Sequence, residues 1–531
     1  MTESVLPTTR RDLLTLIGKV GGGAALYQAM TVMGHAAESQ FTGPPGLSGA
    51  KRGASVLVLG AGLAGMLAAY ELTKAGYKAQ ILETQNRAGG RNMTLRGGDV
   101  VTELGSVQKV GFAPGNYINP GPWRIPHHHR TVLHYCKELG VQLEPYIQNN
   151  TNAFVHRKSA FGGKAQRYRD VVTDWKGHVS ELLGKALNAG ALDQAVTGED
   201  KAKLLEAMRS WGVLDKNMAY VKSEKLGEQR GWQRPPGGGV NGEPIPNDPF
   251  SLSDTLDSKI WETLGFFAEH VMQPSMFQPR GGMDHIGKAF QARVGKQIRY
   301  GTRVTKIAQD DRGVTASWTD AKTGAVGETK ADWMVCTIPA TVLGQIEIQV
   351  SGAKKAAIKA LPYGNSVKIG LEMNRRFWET EDAIYGGSSF TDQAIGLISY
   401  PSHGAFSDGP AVLLGAYPFG VGAYILAGMT PEKRIQAALD QGSVFHPKHY
   451  KSEFRSGVSL AWSRMPWILG CCATWTEESR AAHYQNLVSL DGRIVLAGEH
   501  CSYYGCWQEG ALLSSLDAIT RLHQRASAAQ G

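Results

Sequence analysis

The residues "ASVLVLGAGLAGMLAAYELTKAGYKAQILET", numbers 54–84, read as strand, glycine turn, helix and strand. Residues 54–59 form a short apolar run with β-branched members, the composition of a strand buried on both faces. Gly60, Gly62 and Gly65 follow in GxGxxG spacing, and Leu63, Met66, Leu67, Tyr70 and Leu72 mark a helix that stops near Gly76. The second strand ends on Glu83. In such a unit the first glycine permits the tight turn, the second lets the backbone approach a pyrophosphate, and the third lets helix and strand pack closely. The helix N-terminus offers free N–H groups and a partial positive charge to the phosphates. Glu83 is placed to accept hydrogen bonds from a ribose diol. GxGxxG alone is a weak signal in a glycine-rich chain, but strand, helix and acid in register make it a strong one.

"RAGGR", Arg87–Arg91, follows directly. Near the C-terminus "IVLAGEH" puts Glu499 behind an apolar strand, and "WQEGALLSS" opens a helix with a glycine in its first turn. These three segments resemble the dinucleotide fingerprint, the R-x-G-G-R element and the second cofactor segment of the flavin amine oxidase superfamily. The resemblance covers nearly all of the chain after residue 52. It implies an α/β architecture with a Rossmann-like FAD-binding domain of the GR2, amine oxidase type, a mixed α+β substrate domain and a helical insertion. It also implies FAD as cofactor, held by Gly60, Gly62, Gly65, Glu83, Arg91, Val304, Glu499 and Trp507. A flavin provides a two-electron sink without a dissociable nicotinamide. On this plan residues 53–92, 275–348 and 485–527 form the FAD-binding domain, and 93–150 with 349–484 form the substrate domain. Residues 151–274 form the helical block, where Val172, Trp175, Val179, Leu182 and Leu183 recur at helical spacing.

The segment "INPGPWRIPHHHRTVLHYCKELGV", residues 118–141, looks nothing like a nucleotide-binding element. Arg124 in it offers a planar fork that matches a carboxylate bidentately, fixing orientation as well as charge. The segment resembles the part of L-amino acid oxidases in which an arginine before an Ile/Leu-Pro pair clamps the substrate carboxylate. His127, His128 and His129 are contiguous, so on a helix they point in different directions and cannot all ligate one metal; no metal is expected. The same resemblance gives Tyr400, in "LISYPSH", as a second donor to the carboxylate. It gives Lys368, in "GNSVKIGLEM", as the lysine that holds a water beside the flavin. A lysine on an apolar strand is costly without a partner, which favours a functional role. Trp507, in "YGCWQEG", matches the aromatic residue that walls the substrate amine against the flavin, and Trp475 is the candidate for the opposite wall. Two positions depart from the pattern. Extra residues in "ELGSVQKVGFAPGNY" leave Gln108 as an alternative occupant of the Arg124 position. Cys471 falls near the flavin-linked cysteine of monoamine oxidases, although L-amino acid oxidases generally hold FAD non-covalently.

The chain has 531 residues, too many for one core, so two or three interwoven domains are expected. Its net charge of +9 comes from dispersed Lys and Arg with no basic stripe, which argues against a nucleic-acid partner. Six cysteines without paired CxxC spacing indicate neither a zinc site nor a disulfide scaffold, and most are expected as small buried apolar groups. Residues 1–37, with Arg10 and Arg11 before a weakly apolar Gly-rich run and Ala36–Ala37 at its end, resemble a twin-arginine export signal. An exported protein is therefore expected, or a cytoplasmic one if the signal is silent. No other segment is apolar enough to cross a bilayer.

The resemblance implies oxidation of L-amino acids by hydride transfer from Cα to FAD, with O₂ as acceptor and 2-oxo acid, ammonia and H₂O₂ as products. The many aromatics point toward a hydrophobic or aromatic side chain, and the family implies a homodimer or higher homo-oligomer. An L-amino acid 2-monooxygenase and a monoamine or polyamine oxidase are the rival readings. There is no Ser-His-Asp or HExxH signature to compete with them.

Overall fold

The structure is a computed structural model and describes residues 41–49, 53–192, 195–272 and 275–528. The twin-arginine segment lies outside them.

Ser55–Leu59 is the middle strand of a five-stranded parallel sheet. Lys78–Leu82 and then Ile298–Arg299 flank it on one side; Trp333–Cys336 and Ile494–Leu496 flank it on the other. Val56 to Leu59 are fully buried because helices cover one face and a second sheet covers the other. Leu63–Lys74, Asp284–Val294 and Gln508–Ala528 pack on the first face. On the second lie the strands Thr302–Gln309, Val314–Asp320 and Val326–Ala331 and the helices Gly352–Ala360 and Glu477–Val488. This half is thus assembled from both ends and the middle of the sequence.

The substrate half is a seven-stranded sheet around a second core. Val367–Met373 lies between Ala411–Ala416 and Phe454–Ala461, and all seven of its residues are buried. Two expected boundaries move. Phe154–His156 and Gln166–Arg167 join this sheet, pairing with Ser388–Thr391 and with each other, so the helical block begins at Tyr168. Met276–Pro279, expected in the cofactor domain, instead pairs with Ile125–Pro126 and Leu143–Tyr146. Strand pairing across 130 residues or more cannot be seen in local periodicity.

The helical block centres on Asp174, fully buried in helix Tyr168–Asn188. Its carboxylate accepts from Arg230 Nε at 2.7 Å, from the Tyr220 hydroxyl and from the Phe250 amide. One charge thereby ties two loops and the end of helix Glu224–Arg230 to one helix. Among the described residues no helix is long and apolar enough to span a membrane.

Candidate active site

A cavity of about 500 Å³ runs from the glycine turn to the junction with the substrate half. Gly60, at φ +102°, reverses the chain after the first strand. Gly65 packs so closely that a Cβ there would fall 2.0 Å from the Gly60 carbonyl oxygen. Nothing stands within 4 Å of where a Cβ on Gly62 would project, and Gly62 lines the cavity. Gly60 thus turns the chain, Gly65 permits close packing, and Gly62 leaves open space beside the cavity.

Glu83 lines the cavity, with one carboxylate oxygen accepting from the Ala61 amide at 2.7 Å and the other from the Gln85 amide at 2.8 Å. Burial raises its pKa, opposed by those two amides and by Arg87. Thr302, Arg303 and Val304 complete this end of the cavity. Midway along it, Arg91 donates to Glu499 at 2.7 Å and to the Cys471 carbonyl at 2.8 Å. Glu499 also accepts from the Ala473 and Cys506 amides, so one acid draws together the first cofactor segment, the strand Cys472–Ala473 and the loop before Trp507. Cys472 and Cys506 are joined there by a disulfide, a pairing not foreseen in the sequence. Cys136, Cys336 and Cys501 are buried free thiols as expected, and Cys471 is free and lines the cavity.

At the far end stand Lys368, Tyr417, Trp462 and Trp507. Lys368 is 2% exposed; its Nζ donates to the Gly121 carbonyl, more distantly to that of Asn119 at 3.3 Å, and sits 4.2 Å from the Tyr417 ring centroid. Burial drives its pKa well below the ordinary lysine value, a pull that Cys471 opposes and Arg124 reinforces.

Arg124 stands beside this end. Its guanidinium carbon is 5.0 Å from the Trp507 ring centroid and 5.3 Å from that of Trp123. It is 8% exposed, Nη2 meets the Met272 sulfur at 3.0 Å, and Nε has no partner among the described residues. The helix Arg130–Glu138 behind it is fixed by Glu509, which accepts from the Thr131 and Val132 amides at its N-terminus. A carboxylate at a helix N-terminus meets unpaired N–H groups and the positive end of the dipole. The histidine run is therefore anchored to the helix that follows Trp507.

Three expected positions require correction. The Tyr400 hydroxyl is buried between Ser389 and His446, 2.9 and 2.7 Å away, in the core of the seven-stranded sheet. Tyr417, on the cavity wall and 4.9 Å from Trp123 between ring centroids, has its ring centroid 4.2 Å from Lys368 Nζ. Trp475 donates its indole N–H to the His500 carbonyl and packs edge-on against Tyr484, so it is core and not wall. Trp462 and Trp467 line the cavity instead. Gln108, the alternative to Arg124, exchanges two hydrogen bonds with the backbone of Ser459 and serves as a strand-edge clamp. Tyr417, in "LLGAYPFG", and Trp462, in "LAWSRMPW", were missed because each reads as an aromatic residue at a strand end. No local signal separates such a residue from core.

The cavity fits an FAD. A glycine cradle and helix N-terminus await phosphates, an acid stands at the ribose position, an Arg–Glu pair lies midway, and aromatic and lysine side chains surround the far end. Comparison with known proteins agrees. The family model described as flavin containing amine oxidoreductase matches residues 63–522. The Bacillus subtilis (strain 168) protein YobN is 29% identical, over 89% of this chain and 95% of its own. An L-amino-acid oxidase from Siganus canaliculatus is 27% identical over 88% and 85% respectively. Among solved structures, cyclohexylamine oxidase from Brevibacterium oxydans shares the fold with a TM-score of 0.58, at 17% identity over 89% of this chain and 99% of that one. The chain belongs to the flavin-containing amine oxidoreductase family, and the cavity has the lining to fit that family's flavin.

Proposed function

We propose that the chain oxidises L-amino acids to 2-oxo acids, with O₂ as final acceptor. The observation that carries this reading is Arg124: a buried guanidinium without a carboxylate partner among the described residues, at the aromatic end of the cofactor cavity. A simple amine supplies nothing to balance that charge, and an amino acid does. The L-amino-acid oxidase named above, similar over most of both chains, supports the same substrate class.

In this reading Arg124 holds the carboxylate and fixes the orientation of Cα, and Tyr417 replaces Tyr400 as the second donor. Trp507, Tyr417 and Trp462 exclude water and confine the amine. Orientation of this kind can supply several kcal/mol of barrier reduction. FAD, when bound, would supply the acceptor for the hydride leaving Cα. The substrate also loses a nitrogen proton, and the imino acid takes up water to give 2-oxo acid and ammonia. The two electrons and two protons reduce O₂ to H₂O₂. Lys368, deep in the wall and held only by carbonyls, gains most from negative charge developing on O₂ close by.

Lys368→Met is accordingly expected to slow reoxidation of the reduced enzyme by O₂ about 100-fold, a typical loss for one preorganised donor. Stopped-flow mixing of reduced enzyme with oxygenated buffer measures it. Unaltered reoxidation would remove the lysine from the oxygen step. For the reaction as a whole, the test is an anaerobic panel of L-amino acids beside their decarboxylated amines. Bleaching of the flavin by amines alone would overturn the reading. Recovery of amide and CO₂ in place of peroxide would convert it to a monooxygenase.

A further inference from the structure

We infer that Glu269, preceding the turn whose His270 packs on His128, forms a subsite for a cationic substrate side chain, so that the preferred substrates are basic L-amino acids such as lysine. The inference rests on the oxidase reading and deepens it.

Glu269 ends the helix Ile260–Ala268 and leads into the short turn His270–Met272. That turn touches the site twice. Met272 brings its sulfur to 3.0 Å from Arg124 Nη2, and the His270 ring centroid lies 4.4 Å from that of His128. Glu269 is 7% exposed, and among the described residues no hydrogen bond or ion pair reaches its carboxylate. Native proteins rarely leave a buried carboxylate unpaired, because its desolvation then goes uncompensated. Burial accordingly raises its pKa to about 7, with Arg124 pulling the other way.

The surroundings narrow what can complete the site. His128 is 3% exposed and neither of its ring nitrogens has a partner. Burial lowers His128 to about 4 and His129 well below its ordinary value, so both imidazoles are neutral at pH 7. They offer hydrogen bonds but no positive charge. Arg124 is the adjacent cation, and the α-carboxylate takes it. Glu269 then requires a second cation. The α-ammonium is a poor candidate for that partner, because Cα must lie where Lys368, Tyr417 and Trp507 surround the cavity. Outward from the cavity the contacts run from Trp507 to Arg124 and then to the turn that follows Glu269. A group in contact with Glu269 therefore belongs to the remote end of the substrate. A basic side chain satisfies both buried charges at once.

The test compares L-lysine with L-norleucine, which has the same carbon chain without the terminal ammonium. Wild-type holoenzyme is expected to show a higher kcat/KM for lysine. In Glu269→Gln the lysine-to-norleucine ratio is expected to fall roughly 30-fold or more, the scale for removing one partner of a buried charge pair. Calorimetry gives a readout free of turnover. 6-Aminohexanoate is expected to bind wild type more tightly than hexanoate does and to lose that advantage in Glu269→Gln. A wild-type preference for norleucine, or a ratio within about threefold of wild type in the variant, would overturn the subsite and leave the oxidase reading standing. If no L-amino acid bleaches the flavin, the oxidase reading itself fails and the subsite falls with it.

Discussion

Arg124→Met is expected to lower kcat/KM for L-amino acids by about 2–4 kcal/mol of transition-state binding, roughly 30- to 1000-fold. Methionine keeps an unbranched apolar stem against Trp123 and Trp507 and removes only the charged fork. The loss should be large because the guanidinium is 8% exposed and forms no ion pair among the described residues, with Glu269 acting on it only at longer range, so the substrate carboxylate is its natural partner. Removing one partner of a desolvated pair costs far more than breaking a surface ion pair. The informative quantity is the ratio between an amino acid and its decarboxylated amine. Wild type should favour the amino acid strongly, and the variant should lose most of that preference, chiefly through weaker binding in anaerobic titrations of flavin bleaching. A preference for the amino acid that survives the substitution intact would place the carboxylate elsewhere, and Lys368 would be the next residue to consider.

The contrast between Arg124 and Tyr400 shows what a linear sequence can and cannot specify. The glycines at 60, 62 and 65 are demanded by backbone geometry within one turn, so their spacing alone states their task. Arg91 and Glu499 lie 408 residues apart, yet each sits in a local motif with its own signature, and the fold brings them to 2.7 Å. Arg124 is similar: its Pro-rich context fixes where the chain turns. Tyr400 and Trp475 had only residue type and neighbourhood to recommend them. Tyr400 follows the strand Leu397–Ser399, and its ring packs in the core of the seven-stranded sheet, with its hydroxyl between Ser389 and His446. Tyr417 follows the next strand, Ala411–Ala416, and its ring reaches the cavity. Which of two aromatic residues at neighbouring strand ends faces the cavity depends on strand order and register, and these are settled by long-range pairing. The boundary errors at residues 151–167 and 275–279 share that cause. So does the Cys472–Cys506 pair, whose two backbone segments both donate to Glu499.

Glu103→Ala is expected to be the most damaging single change away from the cofactor, with a loss of about 3–5 kcal/mol. In "DVVTELGSVQKV" this acid reads as an ordinary charge beside a hairpin turn. In the fold both Glu103 and Arg434 are fully buried. Both Glu103 oxygens accept from Arg434 Nη1, at 2.9 and 2.8 Å, and one also accepts from the Ala461 amide. Arg434 Nε donates to the Leu426 and Met429 carbonyls and Nη2 to that of Ala427, binding helix Pro431–Gly442 to the segment before it. The pair joins hairpin Val100–Lys109, that helix and strand Phe454–Ala461 at a single point. Removing the acid strands a guanidinium where water cannot reach it, so the cost is that of an uncompensated buried charge and exceeds the net worth of the pair. The double variant Glu103→Leu/Arg434→Met should recover much of the loss, because an apolar pair of similar volume often matches a buried ion pair. Denaturant midpoints followed by circular dichroism measure both effects. The site should register the change as well, since strand Phe454–Ala461 leads straight into Trp462, whose indole donates to the Pro120 carbonyl at the cavity wall. Flavin is therefore expected to dissociate from Glu103→Ala at lower denaturant than from wild type. Stability within 1 kcal/mol of wild type, about the cost of one ordinary hydrogen bond, would mean that the arginine finds water or another acid when Glu103 is gone.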